Sequence, residues 1–172
     1  MDVIEELIRE YGKDIYSFCV YLTGNRDLAD DLYQQTFLTV IEKGDVDLRN
    51  NPKSYLLAIA VNIRNNQRRK LFSRRRSEYA ETSDVLDLIE NIADGEETVE
   101  DELIRKERNK EIRKGVMTLP EKLKQVVVMY YAENLGVAEI AKILGISEGT
   151  VKSRLSNARK KLKERLIRYE AI

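Results

Sequence analysis

The sequence predicts an all-α fold of two small helical bundles joined by an acidic linker, the C-terminal bundle being a helix-turn-helix domain. Apolar residues recur at steps of three and four along most of the chain, and no stretch shows the sustained alternation typical of a strand. Two prolines and eight glycines in 172 residues leave few helix breakers. Between residues 77 and 98 the regular spacing is lost and acidic side chains dominate, which is typical of a linker or a weakly ordered helix.

Two amphipathic helices are expected before residue 44. The first ends at Gly24-Asn25 and the second at Gly44, because glycine readily takes the left-handed conformation that closes a helix. The apolar stripe of the first helix consists of Ile4, Leu7, Ile8, Tyr11, Ile15, Phe18, Cys19 and Leu22. The stripe of the second consists of Ala29, Leu32, Tyr33, Thr36, Phe37, Val40 and Ile41. Each stripe predicts the face that its helix buries.

Three further helices follow from start signals. Asn51-Pro52 is an N-cap residue followed by a proline at the first helical position. The buried face of the helix it begins consists of Leu56, Ile59, Ala60 and Ile63. After the acidic stretch a helix resumes near Thr98, and Leu119-Pro120 begins another. The run VVVMYY at 126–131 lies within helical spacing and is also predicted to be helix.

The charged residues are arranged in four blocks of alternating sign, although the formal net charge is zero. Residues 1–48 carry −7, residues 49–80 carry +8, residues 81–111 carry −8 and residues 112–172 carry +7. Blocks of this length indicate surfaces with different partners, although solvated faces that neutralise one another would look the same. The two basic blocks coincide with the motifs described next, which favours separate partners.

Composition argues against several classes of protein. No stretch approaches the ~20 apolar residues that span a bilayer, and the acidic, periodic N-terminus does not resemble a signal peptide. The single cysteine, Cys19, cannot form a disulfide within the chain, and with no histidine a zinc site has almost no ligands. We therefore expect a cytoplasmic protein that needs no metal or other cofactor.

Residues 137–166 have the pattern of a helix-turn-helix. A short apolar helix with the small Ala141 at the crossing is followed by Gly145 for the turn and Ser147 as cap of the next helix. The buried stripe of that next helix consists of Val151, Leu155, Ala158 and Leu162. Its other faces carry small polar and basic side chains, which suit the base edges and phosphates of the DNA major groove. An ordinary helical hairpin with a solvated basic face is the alternative, and the agreement of turn, crossing and cap favours DNA binding.

A second basic segment, residues 52–76, combines three kinds of side chain. Its amides are Asn62, Asn65, Asn66 and Gln67, and its nearby arginines are Arg64, Arg68 and Arg69. Tyr55 and Phe72 add stacking surfaces. Amides can contact base edges, aromatic rings stack on unpaired bases and arginines follow the backbone, so this segment suits single-stranded or melting DNA. A solvated helix end or an RNA-binding run explains it equally well.

Together and in this order, the motifs resemble the extracytoplasmic-function class of sigma-70-type RNA polymerase sigma factors. ADDLYQQTF at 29–37 resembles the core-binding signature of that family, and SYLLAIAVNIRNNQRRK at 54–70 resembles its helix that recognises and melts the −10 element. Residues 119–162 resemble its domain that reads the −35 element. The resemblance implies a region 2-like domain at 1–76, an acidic and partly helical linker at 77–111, and a region 4-like helix-turn-helix domain at 112–172.

The resemblance also implies roles for individual residues, none of them catalytic and none metal-ligating. Docking on the clamp helices of the polymerase β′ subunit falls to Asp30, Asp31, Gln34, Gln35 and Phe37. Contacts to the −10 element fall to Lys53, Tyr55, Asn62, Asn66, Arg68 and Arg69, while the loop 47–53 captures a flipped base. Contacts to the −35 element fall to Ser147, Thr150, Lys152, Ser153, Arg154, Ser156, Asn157, Arg159 and Lys160.

The implied function is that of an alternative sigma factor, which binds core RNA polymerase and directs promoter-specific initiation. The implied partners are the β′ clamp helices and β flap of the polymerase, promoter DNA and an anti-sigma factor. The anti-sigma factor could hold the chain at the membrane without any insertion of the chain itself. The acidic linker could cover a basic channel in the polymerase, or cover the DNA-binding helices of the idle protein.

Two other classes of protein remain as alternatives. ISEGTVKSRLSN also resembles the helix-turn-helix of LuxR-type regulators, but residues 1–118 lack the alternating strands and helices of a receiver domain. An α-helical adaptor with coincidentally basic faces would bind no DNA at all. Promoter-specific initiation with core polymerase separates the three, because an activator binds duplex DNA without core and an adaptor does neither.

Overall fold

The computed structural model describes residues 2–44, 50–73 and 99–170, and within the last range the side chains of residues 106–168. All regular structure in these ranges is helical, which confirms the predicted all-α class. The helices fall into two compact units, one mainly N-terminal and one mainly C-terminal in sequence. Most of the acidic linker, residues 77–98, and part of the predicted base-capturing loop 47–53, residues 47–49, lie outside the described residues.

The N-terminal unit is a bundle in which each helix packs against the other two. Its helices are α1 (Val3–Thr23), α2 (Arg26–Lys43) and α3 (Pro52–Ser73). Gly24 and Gly44 end α1 and α2 with φ of 61° and 60°, as predicted. Asn51 caps α3 by accepting the backbone N–H of Ser54 at 3.3 Å. The helix boundaries in this unit are therefore set by local signals that the sequence shows.

The core of this unit follows most of the predicted stripes and also includes Val20, Leu57 and Val61, which lie outside them. Its largest fully buried side chains are Leu7, Ile15, Phe18, Leu22, Leu32, Leu56 and Leu57. Ile8 and Ile41 were expected on buried faces and are exposed, Ile41 by 54%. Each directly follows a fully buried residue, and a rotation of about 100° per residue carries it out of the interface.

In the C-terminal part of the chain, the described residues form four α-helices and one π-helical turn. They are α4 (Val99–Thr118), α5 (Glu121–Val127), the turn Val128–Ala132, α6 (Val137–Leu144) and α7 (Glu148–Glu170). A Cβ placed on Gly115 of α4 would lie 2.8 Å from Cδ2 of Leu162, so the absence of a side chain lets α4 approach α7 closely. The predicted boundary between residues 111 and 112 falls inside α4, which continues through it without a break.

The π-helical turn is the one local feature that the VVVMYY run did not predict. Glu133 donates its backbone N–H to the Val128 carbonyl at 3.1 Å, a bond that spans five residues instead of four. Asn134 then takes a positive φ of 55°, and Leu135 bonds back to the Met129 carbonyl at 3.0 Å. Turns of this kind are rare and recur at functional sites. The turn carries the adjacent residues Tyr130 and Tyr131.

Candidate nucleic-acid interface

The predicted helix-turn-helix is present as α6, a turn and α7. Gly145 adopts φ of 64° after α6, and Ile146 donates its N–H to the Ala141 carbonyl at 3.1 Å. The Ser147 hydroxyl accepts the backbone N–H of Thr150 at 3.1 Å and so caps α7. The Ser147 and Thr150 hydroxyls also bond to each other at 2.8 Å, so both groups have a structural role at the start of the helix.

One side of α7 is apolar and buried, and the other carries the predicted −35 residues. Val151, Leu155 and Ala158 are buried, while Leu162 is half-buried. The exposed predicted residues are Ser147, Lys152, Ser153, Ser156, Asn157, Arg159 and Lys160. Thr150 and Arg154 are half-buried at the edges of this surface. The structure thus brings the predicted set together on one helix, with cations beside short polar side chains.

Arg159 has partners that sequence reasoning missed. Its Nε donates a 2.6 Å hydrogen bond to the hydroxyl of Tyr131, which lies 28 positions earlier in the chain. Its guanidinium carbon lies 5.7 Å and 5.6 Å from the ring centroids of Tyr130 and Tyr131, within the range of cation–π attraction. The two rings contact each other edge to face, with centroids 4.9 Å apart. The only sequence signal was a pair of tyrosines at the end of an otherwise apolar run.

The second predicted DNA surface lies on α3. Asn62, Asn66, Arg68 and Arg69 are exposed, and Phe72 is 90% exposed near the end of the helix. Tyr55 is half-buried near its start. Arg64 departs from the expected basic face, because its side chain is only 4% exposed and belongs to the interior of the unit. Lys53 also holds the start of α3 to α1 through an ion pair with Asp14, with Nζ 2.9 Å from Oδ2.

The predicted polymerase-binding residues lie on α2, but not all on its surface. Asp30, Asp31 and Gln34 are exposed, and Gln35 is half-buried. Phe37 is only 5% exposed, and its ring centroid lies 4.9 Å from that of Tyr33. Its side chain is therefore part of the core and supports α2 from inside instead of presenting a surface to a partner.

Hydrogen bonds orient the polar groups of the α2 surface. The Tyr16 hydroxyl of α1 donates to Oδ1 of Asp30 at 2.6 Å. Burial, together with this bond to a carboxylate, raises the pKa of Tyr16 to about 12. Gln35 donates from Nε2 to Oδ2 of Asp31 at 2.9 Å, and Gln67 of α3 donates from Nε2 to Oε1 of Gln35 at 3.3 Å. Hydrogen bonds thus link the polar surface of α2 to Gln67 of α3 within one unit.

Two features are absent from the described part of the chain. No helix there is long and apolar enough to cross a membrane. Among the described side chains, no cluster of three or more potential metal ligands occurs.

Comparisons with known proteins match both units. Residues 7–76 match the family model Sigma-70 region 2, and residues 109–162 match the model Sigma-70, region 4. The chain is 28% identical over 168 residues to the ECF RNA polymerase sigma factor SigW of Bacillus subtilis, which covers 96% of this chain and 89% of that protein. It is 30% identical over 146 residues to the ECF RNA polymerase sigma factor EcfG of Rhodopseudomonas palustris, covering 85% of this chain and 75% of that protein.

Among solved structures, the fold is similar to that of the sigma factor RpoE in complex with the anti-sigma factor NepR from Bartonella quintana. The TM-score is 0.67, the sequences are 22% identical, and the match covers 94% of each chain. At this identity the likeness supports the fold. None of these matches supports the LuxR-type alternative.

Proposed function

The chain belongs to the extracytoplasmic-function class of RNA polymerase sigma factors, and on this premise we propose how its two units divide the work of directing promoter-specific transcription initiation. Residues 1–76 bind core polymerase and recognise and melt the −10 element. Residues 112–172 read the −35 element, and residues 77–111 form the linker between the two functions. The observation that carries the proposal is the surface of α7, which is polar and basic opposite a buried apolar stripe.

In the C-terminal unit, α7 is the recognition helix. Lys152, Ser153, Ser156 and Asn157 face base edges, because they are exposed in its N-terminal half where a recognition helix meets the groove. Lys160 and Arg159 bind phosphates further along the helix. Arg154, at the edge of the surface, adds a further phosphate contact. Ser147 and Thr150 fix the start of the helix and bring its backbone to the DNA.

In the N-terminal unit, α3 faces the −10 element. Asn62 and Asn66 contact the bases of the opened strand, since both amides are exposed on the same side one turn apart. Arg68 and Arg69 bind its backbone, and Tyr55 offers a ring for stacking. Lys53 lies at the start of the helix. It contacts the DNA and keeps its ion pair with Asp14.

On α2, the exposed Asp30, Asp31 and Gln34 dock on the clamp helices of the β′ subunit. Gln35 orients Asp31 through its hydrogen bond, and the buried Phe37 keeps the helix in place. The C-terminal unit meets the β flap of the polymerase. The net −7 charge of residues 1–48 supports docking on a basic surface.

The proposal extends to regulation and location. An anti-sigma factor holds the idle chain, as the complex of the similar RpoE with NepR suggests by analogy. The chain works in the cytoplasm, either free or held at the membrane through that partner, and performs no covalent chemistry of its own.

Run-off transcription with core polymerase across a genomic promoter library tests this function. The chain is expected to confer initiation at a subset of promoters that share −35 and −10 sequences. Core alone and core with a heat-denatured chain are the controls. Binding to the same duplexes without core, and without any transcript, would contradict the proposal.

A further inference from the structure

We infer that Tyr131 and Arg159 together form a binding site for one DNA phosphate beside the recognition helix. The inference rests on the proposed reading of −35 DNA by α7, and it assigns a DNA contact to a tyrosine that lies outside the helix-turn-helix. Tyr131 lies in the π-helical turn Val128–Ala132, and its side chain is 54% exposed although the preceding turn of α5 is buried.

The first step is that the Arg159 guanidinium is fixed before any DNA arrives. Its Nε bonds to the Tyr131 hydroxyl at 2.6 Å, and its carbon lies within 5.7 Å of two tyrosine ring centroids. A free arginine loses rotamer entropy when it binds a phosphate, whereas one that is already held loses less. Both side chains remain exposed, so the contact leaves them accessible from solvent.

The second step is the direction of the hydrogen bonds. The Tyr131 oxygen accepts from Nε, so its own O–H remains to be donated, and both terminal nitrogens of Arg159 carry further N–H donors. Donors therefore lie side by side next to one positive charge. A phosphodiester complements this arrangement, because its two anionic oxygens only accept and bind a guanidinium strongly.

The third step is the position along the helix. Arg159 lies eleven residues beyond Glu148, the first residue of α7, or about 16 Å at a rise of about 1.5 Å per residue. The major groove is about 12 Å wide, so a helix that enters it by its N-terminus has reached the sugar-phosphate backbone at this distance. The π-helical turn brings Tyr131 to this same level of the helix.

The test uses holoenzyme assembled from the full chain and core polymerase, titrated with a promoter duplex and a panel of −35 point variants. Tyr131→Phe keeps the ring and removes only the hydroxyl. We expect affinity for every duplex to fall by a similar factor, about fivefold to tenfold, with the ranking of the variants unchanged. The dependence on salt should stay the same, because no charge is lost. Tyr11→Phe is the control, because it removes the same kind of hydroxyl from α1 of the N-terminal unit, and it should leave affinity unchanged.

A second measurement locates the phosphate. Single methylphosphonate substitutions, which neutralise one phosphate at a time, are placed along the backbone that flanks the −35 element. One position should weaken binding of the wild-type holoenzyme more than binding of Tyr131→Phe, since the variant has already lost the hydrogen bond of the hydroxyl and keeps only the contact of Arg159.

Each outcome decides a separate point. Suppose that wild type binds the promoter, that Tyr131→Phe binds it equally well, and that no methylphosphonate position distinguishes the two. In that case the contact only stabilises the fold, and the inference is wrong. A lower melting temperature of Tyr131→Phe with unchanged promoter affinity would also mean that the contact is structural alone. If wild-type holoenzyme shows no promoter preference at all, the proposed function itself fails.

Discussion

The hydroxyl of Tyr16 on α1 donates a 2.6 Å hydrogen bond to Oδ1 of Asp30 on α2. Asp30 is exposed, yet its carboxylate is held in one orientation by a side chain from the neighbouring helix. The second oxygen remains able to accept from a cation or an N–H group of a partner. An oriented carboxylate binds such a partner with less loss of entropy than a mobile one.

Tyr16→Phe removes this orientation while keeping the ring. We expect affinity for core polymerase to fall by about threefold to tenfold, the range of one hydrogen bond to a charged group. Titration of core with labelled chain measures it. Tyr11→Phe is the control, because that hydroxyl neighbours Glu10 instead of Asp30. Equal affinity of wild type and Tyr16→Phe would show that orientation of Asp30 contributes nothing to docking.

Reversing the charge of Asp30 and Asp31 tests the docking surface itself. The double change to lysine should weaken core binding strongly at low salt, because the clamp would meet like charges, while the helical content stays unchanged. Glu5→Lys with Glu10→Lys alters the net charge equally at exposed positions of α1. The assignment of α2 is wrong if both double variants lose the same affinity.

Raising the pH should destabilise the N-terminal unit through Tyr16. Its pKa is about 12 in the folded protein against an ordinary value of 10, so folding favours the protonated hydroxyl. The stabilisation is complete below pH 10 and is lost as the pH rises from 10 through 12. Burial raises the pKa of Tyr33 as well and acts in the same direction. Chemical denaturation across this range should show a smaller decline for Tyr16→Phe than for wild type, and parallel declines would contradict the assignment.

Promoter opening depends on Asn62 and Asn66 if α3 contacts the opened strand. Their alanine variants should still form closed complexes through the C-terminal unit, but the permanganate reactivity of unpaired thymines should fall. Lys70→Ala, an exposed change further along α3, is the control for general loss of DNA affinity. If both asparagine variants open the promoter as fully as wild type does, these amides make no contact with the opened strand.

Substitutions of two exposed residues of α7 can distinguish contacts to base edges from contacts to phosphates. Asn157→Ala should change the ranking of −35 point variants, because a lost base contact costs about 1–3 kcal/mol on the correct base only. Lys160→Ala should lower all variants together and reduce the salt dependence by about one unit of slope. The measurement is holoenzyme titration at two salt concentrations. The opposite result for the two variants would mean that the helix is rotated in the groove.

The fold could be predicted from the sequence because its signals are local. Gly24, Gly44, Asn51-Pro52 and Gly145 each end or begin a helix through backbone geometry that depends on a few neighbouring residues. The apolar steps of three and four likewise identify most of each buried face. The predicted surface of α7 follows directly, since it lies opposite such a face.

The features that the sequence did not reveal arise from packing between distant residues. Arg64 is buried although it belongs to a basic run. The contact of Tyr131 with Arg159 joins positions 28 apart and depends on a π-helical turn, which leaves the apolar spacing almost unchanged. No short-range pattern contains this information.

The bonds that join Asp31, Gln35 and Gln67 run in one direction only. A carboxylate cannot donate, so Gln35 must turn its nitrogen toward Asp31 and its oxygen toward Gln67, which in turn must present its nitrogen. Asp31 therefore sets the polarity of an amide on the neighbouring helix, and leaves the Gln67 oxygen as an acceptor for another donor. An asparagine at position 31 would fill the same space, but its amide could either accept a hydrogen bond from Gln35 or donate one to it. The side-chain amides of Gln35 and Gln67 would then each have two possible orientations. The surface of α3 would offer two hydrogen-bonding patterns where it now offers one.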